Sequence, residues 1–381
     1  MTDLPLKGLI VLEFCQYLSG PSAGLRLADL GARVIKIEKP GTGDAGRKLA
    51  IKDLWVGSDS LLFHTINRNK ESFTANLKDA TELELIKKLI KKADVLIHNF
   101  RPGVMEKTGL GYEVVRELNP RIIYAEISGY GKIGPWKDKP GQDLLLQSMT
   151  GLAFTTGNGT NGPVSFGVAI ADILAGSQLV QGILGGLIRR QKTGKGALIE
   201  VSMMESLLDF QFELLTTYFS SNQQPLRSEV SNGHPLLSAP YGIYQTQDGF
   251  IALAMMDIYE LADALDCGAL KKFSRKDTFS ERDEIKKVLS SHLSNGVTAY
   301  WINKLHENDL WAMEVLDWEK MTGHDAYRNL RIEQTILCGN KELITTRCPV
   351  RINGKRIFSN KPAPALGEHN REIIEVLINE S

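Results

Sequence analysis

The sequence is poor in cysteine and carries no net charge. Its four cysteines, Cys15, Cys267, Cys338 and Cys348, form no CxxC pair and no metal-type spacing with histidine. That argues against a disulfide framework and a structural metal site, and reads most simply as free thiols in a cytoplasmic protein. Lysine plus arginine equals aspartate plus glutamate, 45 each, so no basic field points to nucleic acid or a membrane surface. A run of about 18 apolar residues is missing, and no membrane span is expected. The opening MTDLPLKGLI lacks the charged and apolar regions of a signal peptide. Internal repeats and low-complexity tracts are absent too.

What the chain does have is alternation. With 381 residues, 43% of them apolar, it is long enough for two or three domains or one large α/β unit with an insertion. Residues 8–14 (GLIVLEF) read as a buried strand, 15–21 as a turn, 22–30 as a short helix ending at Gly31, and 33–38 (RVIKIE) as a second strand. Helices over 80–92 and 104–118 and strands over 95–100 and 121–128 continue the pattern. Such βαβ units imply a parallel sheet, hence a Rossmann-like α/β first half. Glu38 ends the second strand where an NAD-binding acid would sit. The first turn, however, is FCQYLSGPSAG, without GxGxxG, so the backbone cannot approach a pyrophosphate closely and no NAD is expected. The neighbouring Lys39 is either a solvated surface lysine or a side chain awaiting a phosphate-bearing ligand.

Residues 163–203 (PVSFGVAIADILAGSQLVQGILGGLIRRQKTGKGALIEVSM) read as loop, helix, turn and strand. Asp172 opens the helix, and Gly176, Gly182, Gly185 and Gly186 interrupt its apolar pattern. Each glycine weakens a helix by roughly 1 kcal/mol relative to Ala, so four of them imply the close approach of another backbone. Gly194 is the expected C-cap. Asp172 has two readings: a simple N-cap, or a nucleophile whose ionised form the helix N-terminus favours. Local pattern leaves both open. Further on, 239–310 reads as a smaller α+β domain, with a hairpin turn at Gln247-Asp248-Gly249, between a connector over 206–238 and a returning one over 311–361.

From end to end the chain resembles the class III CoA-transferases, the CaiB/BaiF family. The matching stretches, in order, are SGPSAGLRLADLGARVIKIEKPGTGD, NFRPG (99–103), ISGYG (127–131), AIADILAG (169–176), RQKTGKGALIEVSM, SAPYGIYQTQDGFIAL and PALGEH. The resemblance implies a large Rossmann-like CoA-binding domain built from 1–205 with 362–381. It also implies a chain closed into a ring and two rings interlocked as a homodimer. The implied activity is transfer of CoA between carboxylic acids through covalent intermediates on Asp172. Coenzyme A enters as acyl-CoA substrate, and no metal is expected. Lys39, Leu77, Lys78, Asn99, Phe100, Arg101, Lys107 and Gln142 match CoA-contacting positions. Gln16 is a candidate oxyanion donor, and Ser231-Asn232-Gly233-His234 lies where relatives carry a flexible lid. The alternative within the family is an α-methylacyl-CoA racemase. Those enzymes place a basic histidine where this chain has Gln142, which cannot accept and return a proton near neutral pH.

Overall fold

The computed structural model describes residues 4–379. The chain divides into two compact units: Met1–Leu146, Ala169–Leu207 and Leu330–Ser381 form the first, Gln147–Val168 and Leu208–Asn329 the second. The first unit starts with β1 (Ile10–Phe14), α1 (Ser19–Asp29), β2 (Arg33–Glu38), the two-residue strands β3 (Trp55–Val56) and β4 (Asp59–Ser60), α2 (Leu61–Asn67), β5 (Glu71–Thr74) and α3 (Ala80–Lys92). It continues through β6 (Val95–His98), α4 (Val104–Lys107), α5 (Tyr112–Leu118), β7 (Ile123–Ser128), α6 (Asp143–Met149), α7 (Ile170–Thr193), β8 (Ala197–Ser202) and α8 (Met203–Phe210).

Six strands form one sheet in the order β5-β2-β1-β6-β7-β8. Every pairing in it is parallel. Helix-covered strands are buried on both faces, which is why β1 and β7 read as near-continuous apolar runs. Leu12, Ile35, Leu96 and Tyr124 are essentially inaccessible at its centre. The chain steps outward from β1 through β2 and β5, then crosses back to lay β6 on the other side of β1. That reversal between β1 and β6 is the switch point at which open α/β sheets bind ligands, outside the carboxyl ends of their strands.

Helix α7 packs on α1, β7 and β8. By length and composition it could cross a bilayer, but its apolar stripe, including Leu179, Ile183 and Leu187, is buried within the unit. Of its four glycines, Gly176 meets the close backbone that the sequence implied. A Cβ on Gly176 would stand 2.3 Å from Ser22 Oγ and 2.7 Å from the Ser19 carbonyl oxygen, and one on Gly182 2.5 Å from Ile199 Cγ2. Gly185 has nothing within 4 Å, so its place in the pattern has no packing reason inside this unit. Gly194 caps the helix at φ +72°.

The second unit holds α9 (Phe212–Ser221), the antiparallel strands β9 (Gly242–Gln245) and β10 (Phe250–Leu253), α10 (Ile258–Ala264), α11 (Arg282–Leu293) and α12 (Thr298–Glu307). Strand β11 (Ala312–Glu314), α13 (Trp318–Gly323) and α14 (Asp325–Leu330) follow. Tyr244, Ile251, Leu261, Leu289 and Trp301 form its core. The chain then returns to the first unit as two antiparallel hairpins, β12 (Glu333–Cys338) with β13 (Lys341–Thr346) and β14 (Cys348–Ile352) with β15 (Lys355–Ile357). Helix α15 (Asn370–Ile373) runs on as a π-helix over Ile374–Asn379. Ile373 and Ile378 are buried in the same core as Leu12 and Ile86.

Three local expectations are corrected. Helix α1 begins at Ser19 rather than Ser22, because a proline in the first turn forgoes only an N–H that has no intrahelical partner. The helix expected over 104–118 breaks around Gly109 and Gly111. The connector expected over 311–361 contains β11, α13, α14 and both hairpins.

Candidate active site

The site is assembled at the switch point by the turn after β1. Residues 15–19 are pinned there from below and from the side. Lys36, fully buried, donates to the Cys15 carbonyl at 2.8 Å while paired with Glu13 at 2.9 Å and Asp44 at 2.8 Å. Asp44 Oδ1 accepts the Tyr17 N–H at 3.0 Å and so holds Tyr17 at φ +61°, a conformation that costs a non-glycine residue about 1 kcal/mol or more. From the end of β6, Asn99 Oδ1 accepts the Gln16 N–H at 2.9 Å. Its Nδ2 donates to the Gln16 carbonyl at 2.7 Å and to Ser19 Oγ at 3.2 Å.

Ser19 in turn holds Asp172. Both the hydroxyl and the backbone N–H of Ser19 donate to the Asp172 carboxylate. Because Asn99 donates to Ser19 Oγ, the hydroxyl proton is left for Asp172. The close approach of α1 and α7 over Gly176 makes this contact possible.

The capping reading of Asp172 is settled by geometry. Asp172 is the third residue of α7, and the N-cap, Ala169, offers no side chain. The free amides are taken instead by Asp143, whose Oδ2 accepts the N–H of Ala171 at 2.7 Å and of Asp172 at 3.2 Å. Asp172 is therefore released from capping. Its carboxyl is pushed up to about 6, first by burial and then by the neighbouring Asp143 charge, against the opposing hydrogen bonds from Ser19. Among the described residues no cation pairs with it. The group is a desolvated carboxylate with two donors and no counter-charge, a suitable attacking group for an acyl carbon.

The remaining expected positions lie along the carboxyl edge of the sheet. Lys39 directly follows β2, Lys78 follows β5, and Arg101 follows β6. All three are exposed, as is Lys107 at the end of α4. None of the four is in an ion pair among the described residues. Leu77 is half-buried against the sheet core. Phe100 stacks on His98 with centroids 6.1 Å apart and lines a small cleft with Arg101, Glu126 and Lys132. Gln142 is exposed just before α6. Of the expected residues the hydrogen bonds join Asn99 to Asp172, through Ser19; they do not join Lys39, Lys78, Lys107 or Gln142 to it. Glu38 is fully engaged elsewhere, by Arg47 through two 2.8 Å hydrogen bonds and by Ser72 at 2.6 Å.

Ser19 and Asp143 went unnoticed in the sequence. A serine two residues before a proline is a helix-start signal that names Ser19; Asp143 leaves no local trace of a cap made 28 positions away. In the second unit, residues 231–234 are anchored. Asn232 donates to Asn158 Oδ1 at 2.9 Å and to the Gly157 carbonyl at 3.0 Å, Lys286 to the Ser231 carbonyl at 3.2 Å, and His234 sits 2.7 Å from Glu213.

Residues 6–370 match the sequence profile of CoA-transferase family III. The chain belongs to that family. An acetyl-CoA:oxalate CoA-transferase from Acetobacter aceti is 35% identical over 377 residues, covering 96% of this chain and 93% of its own. A human succinyl-CoA:glutarate CoA-transferase is 30% identical, covering 98% and 86%. A crystallised CaiB/BaiF family protein from Brucella suis superposes with a TM-score of 0.85 at 29% identity, over 99% of this chain and 100% of that one. The family III CoA-transferase described here is thus an enzyme that takes CoA thioesters as substrates.

Proposed function

We propose that this CoA-transferase works by double displacement on Asp172. The observation that carries the proposal is the unpaired, desolvated carboxylate held by Ser19 at the switch point. One Asp172 oxygen attacks the donor thioester carbonyl; the C–S bond breaks and CoA leaves as thiolate, giving a mixed anhydride. The thiolate then attacks the Asp172 carbonyl, the donor acid departs as carboxylate, and an aspartyl-CoA thioester remains. The acceptor carboxylate attacks that thioester and expels the thiolate again. Thiolate attack on the acceptor carbonyl yields the new acyl-CoA and restores Asp172. No net proton is consumed. The side-chain amide of Gln16, on this turn, is the donor to the tetrahedral oxyanions in this proposal.

CoA lies along the carboxyl edge of the sheet in this proposal. Among the described residues Lys39, Lys78, Arg101 and Lys107 are cations in no ion pair, and they suit its phosphates. Leu77 and Phe100 offer apolar contact, Asn99 and Gln142 polar contact. Acceptors and donors are small carboxylic acids; oxalate, glutarate, acetyl-CoA and succinyl-CoA, named by relatives, are the first to screen.

The functional form is a homodimer whose chains close into interlocked rings. Helix α9 buries none of its ten residues although it carries Phe212, Leu214, Leu215 and Phe219. Phe219 and Trp318 are 75% and 83% exposed, far more apolar surface than an isolated chain ordinarily leaves to water.

The mechanism is tested with acceptor acid labelled with 18O in its carboxylate, in unlabelled water. Over repeated turnovers the label passes through Asp172 into the released donor acid. Acyl exchange with no label in the donor acid would exclude an enzyme-bound anhydride.

A further inference from the structure

The charge next to Asp172 is an unusual neighbour for a nucleophilic carboxylate. Two helix N-termini converge here, α1 through the Ser19 N–H and α7 through its own first turn. A helix N-terminus stabilises an anion, and both together would make Asp172 a weaker base and a poorer nucleophile. Asp143 changes that. Its Oδ2 takes the amides of Ala171 and Asp172, so the positive end of α7 faces Asp143 rather than the Asp172 carboxylate. The same two bonds fix the first turn of α7 and hence the direction in which Asp172 leaves it.

We propose that Asp143 is the positioning residue of this active site: it aims Asp172 and, by its own negative charge, keeps the nucleophile basic. This rests on the double-displacement reading of Asp172 and adds to it the group that sets its reactivity. The surroundings leave few rivals. Helix α7 packs against α1, β7 and β8. From α1 comes Ser19, which does not titrate in this range and opposes the effect by hydrogen bonding. Among the described residues, Asp143 is the one charged group that acts on Asp172. The position directly follows Gln142, so the replaced base of the racemases and the charge-setting acid are adjacent in sequence.

The test is Asp143→Asn, which keeps an oxygen acceptor for the two amides and removes the charge. The acid limb of kcat/KM should move to lower pH by about one unit, with a lower plateau, because a like charge is lost. Asp143→Ser, which also caps but carries no charge, should shift it the same way. A folded Asp143→Asn enzyme whose acid limb coincides with the wild type would overturn the proposal and leave Asp143 a simple cap. A second measurement needs no activity. Asp172→Asn should raise the melting temperature at pH 7.5, and by a smaller amount in the Asp143→Asn background; an equal rise in both backgrounds would also overturn it. If 18O passes through Asp172 but the limb and the melting difference stay put, the mechanism stands and this inference fails. If the label never passes but the melting difference shrinks, the reverse holds.

Discussion

Glu38 and Asp172 are two carboxylates in the same unit, one buried and one half-buried, and their fates are opposite. Glu38, at the end of β2, is 3% exposed. Burial pushes its carboxyl up, but the Arg47 hydrogen bonds, with the Lys36 and Arg47 charges and Ser72, overcome that and hold it below the usual carboxylate range. Asp172, at the start of α7, is half-buried; burial pushes its carboxyl up as well, here with a second carboxylate for a neighbour, and it rises to about 6. Burial alone marks neither as functional. A buried charge inside a closed set of partners is architecture; a buried charge left beside a like charge is held in a costly state that only the surrounding structure sustains.

The sharpest way to break this comparison is to neutralise each carboxylate. Asp172→Asn should lower kcat by a factor on the order of 10⁴ or more with the fold intact; steady-state assay at matched melting temperature checks it. Glu38→Gln should instead act on the fold. It removes one of the two carboxylates paired with the buried Arg47 and leaves Asp59, 2.6 Å away, at a cost of about 1–3 kcal/mol, read as a lower urea midpoint.

A smaller effect separates them by sign. A carboxyl near 4 in the unfolded chain and near 6 in the folded one disfavours folding once it ionises. That penalty is absent below about pH 4, grows as pH rises, and is complete above about pH 6. Asp172→Asn should therefore be more stable than the wild type by roughly 1–3 kcal/mol at pH 7.5, with the advantage vanishing near pH 4. Urea melts across that range check it. An advantage that persists at pH 4 would mean it has another cause. The smallest effect concerns Ser19. Ser19→Ala deletes one hydrogen bond to the ionised form and should move the acid limb of kcat/KM to higher pH by about half a unit to one unit, opposite to Asp143→Asn.

Much of this was legible beforehand. The alternation of apolar strands and helices gives the parallel sheet, because strands buried on both faces read as short, continuous apolar runs between helices. The glycines of α7 announced a close backbone, which at Gly176 is α1. Asp172 was singled out by residue type and position, but its two readings could be separated only by knowing what caps α7. That cap comes from Asp143 across 28 positions, and the Asn99–Ser19 bond spans 80; neither leaves a periodic trace. Of the two hairpins within 330–357 the sequence shows only one strand, over 345–352, for another reason. Two-stranded ribbons bury little, so Leu337 and Ile344 stay exposed and the alternation that betrays a half-buried strand is faint. Helix α1 was cut short because Gly20-Pro21 looks like a turn until the first-turn tolerance of proline is applied.

The most direct test is to catch the intermediate. The enzyme is incubated with an acyl-CoA donor it turns over and no acceptor, then treated with hydroxylamine or borohydride and digested. The hydroxamate or the reduced side chain should map to the peptide containing Ala169–Gly176, at Asp172, and should not form in Asp172→Asn. Modification at another residue, or unimpaired CoA transfer by Asp172→Asn, would contradict the assignment of Asp172 as the nucleophile.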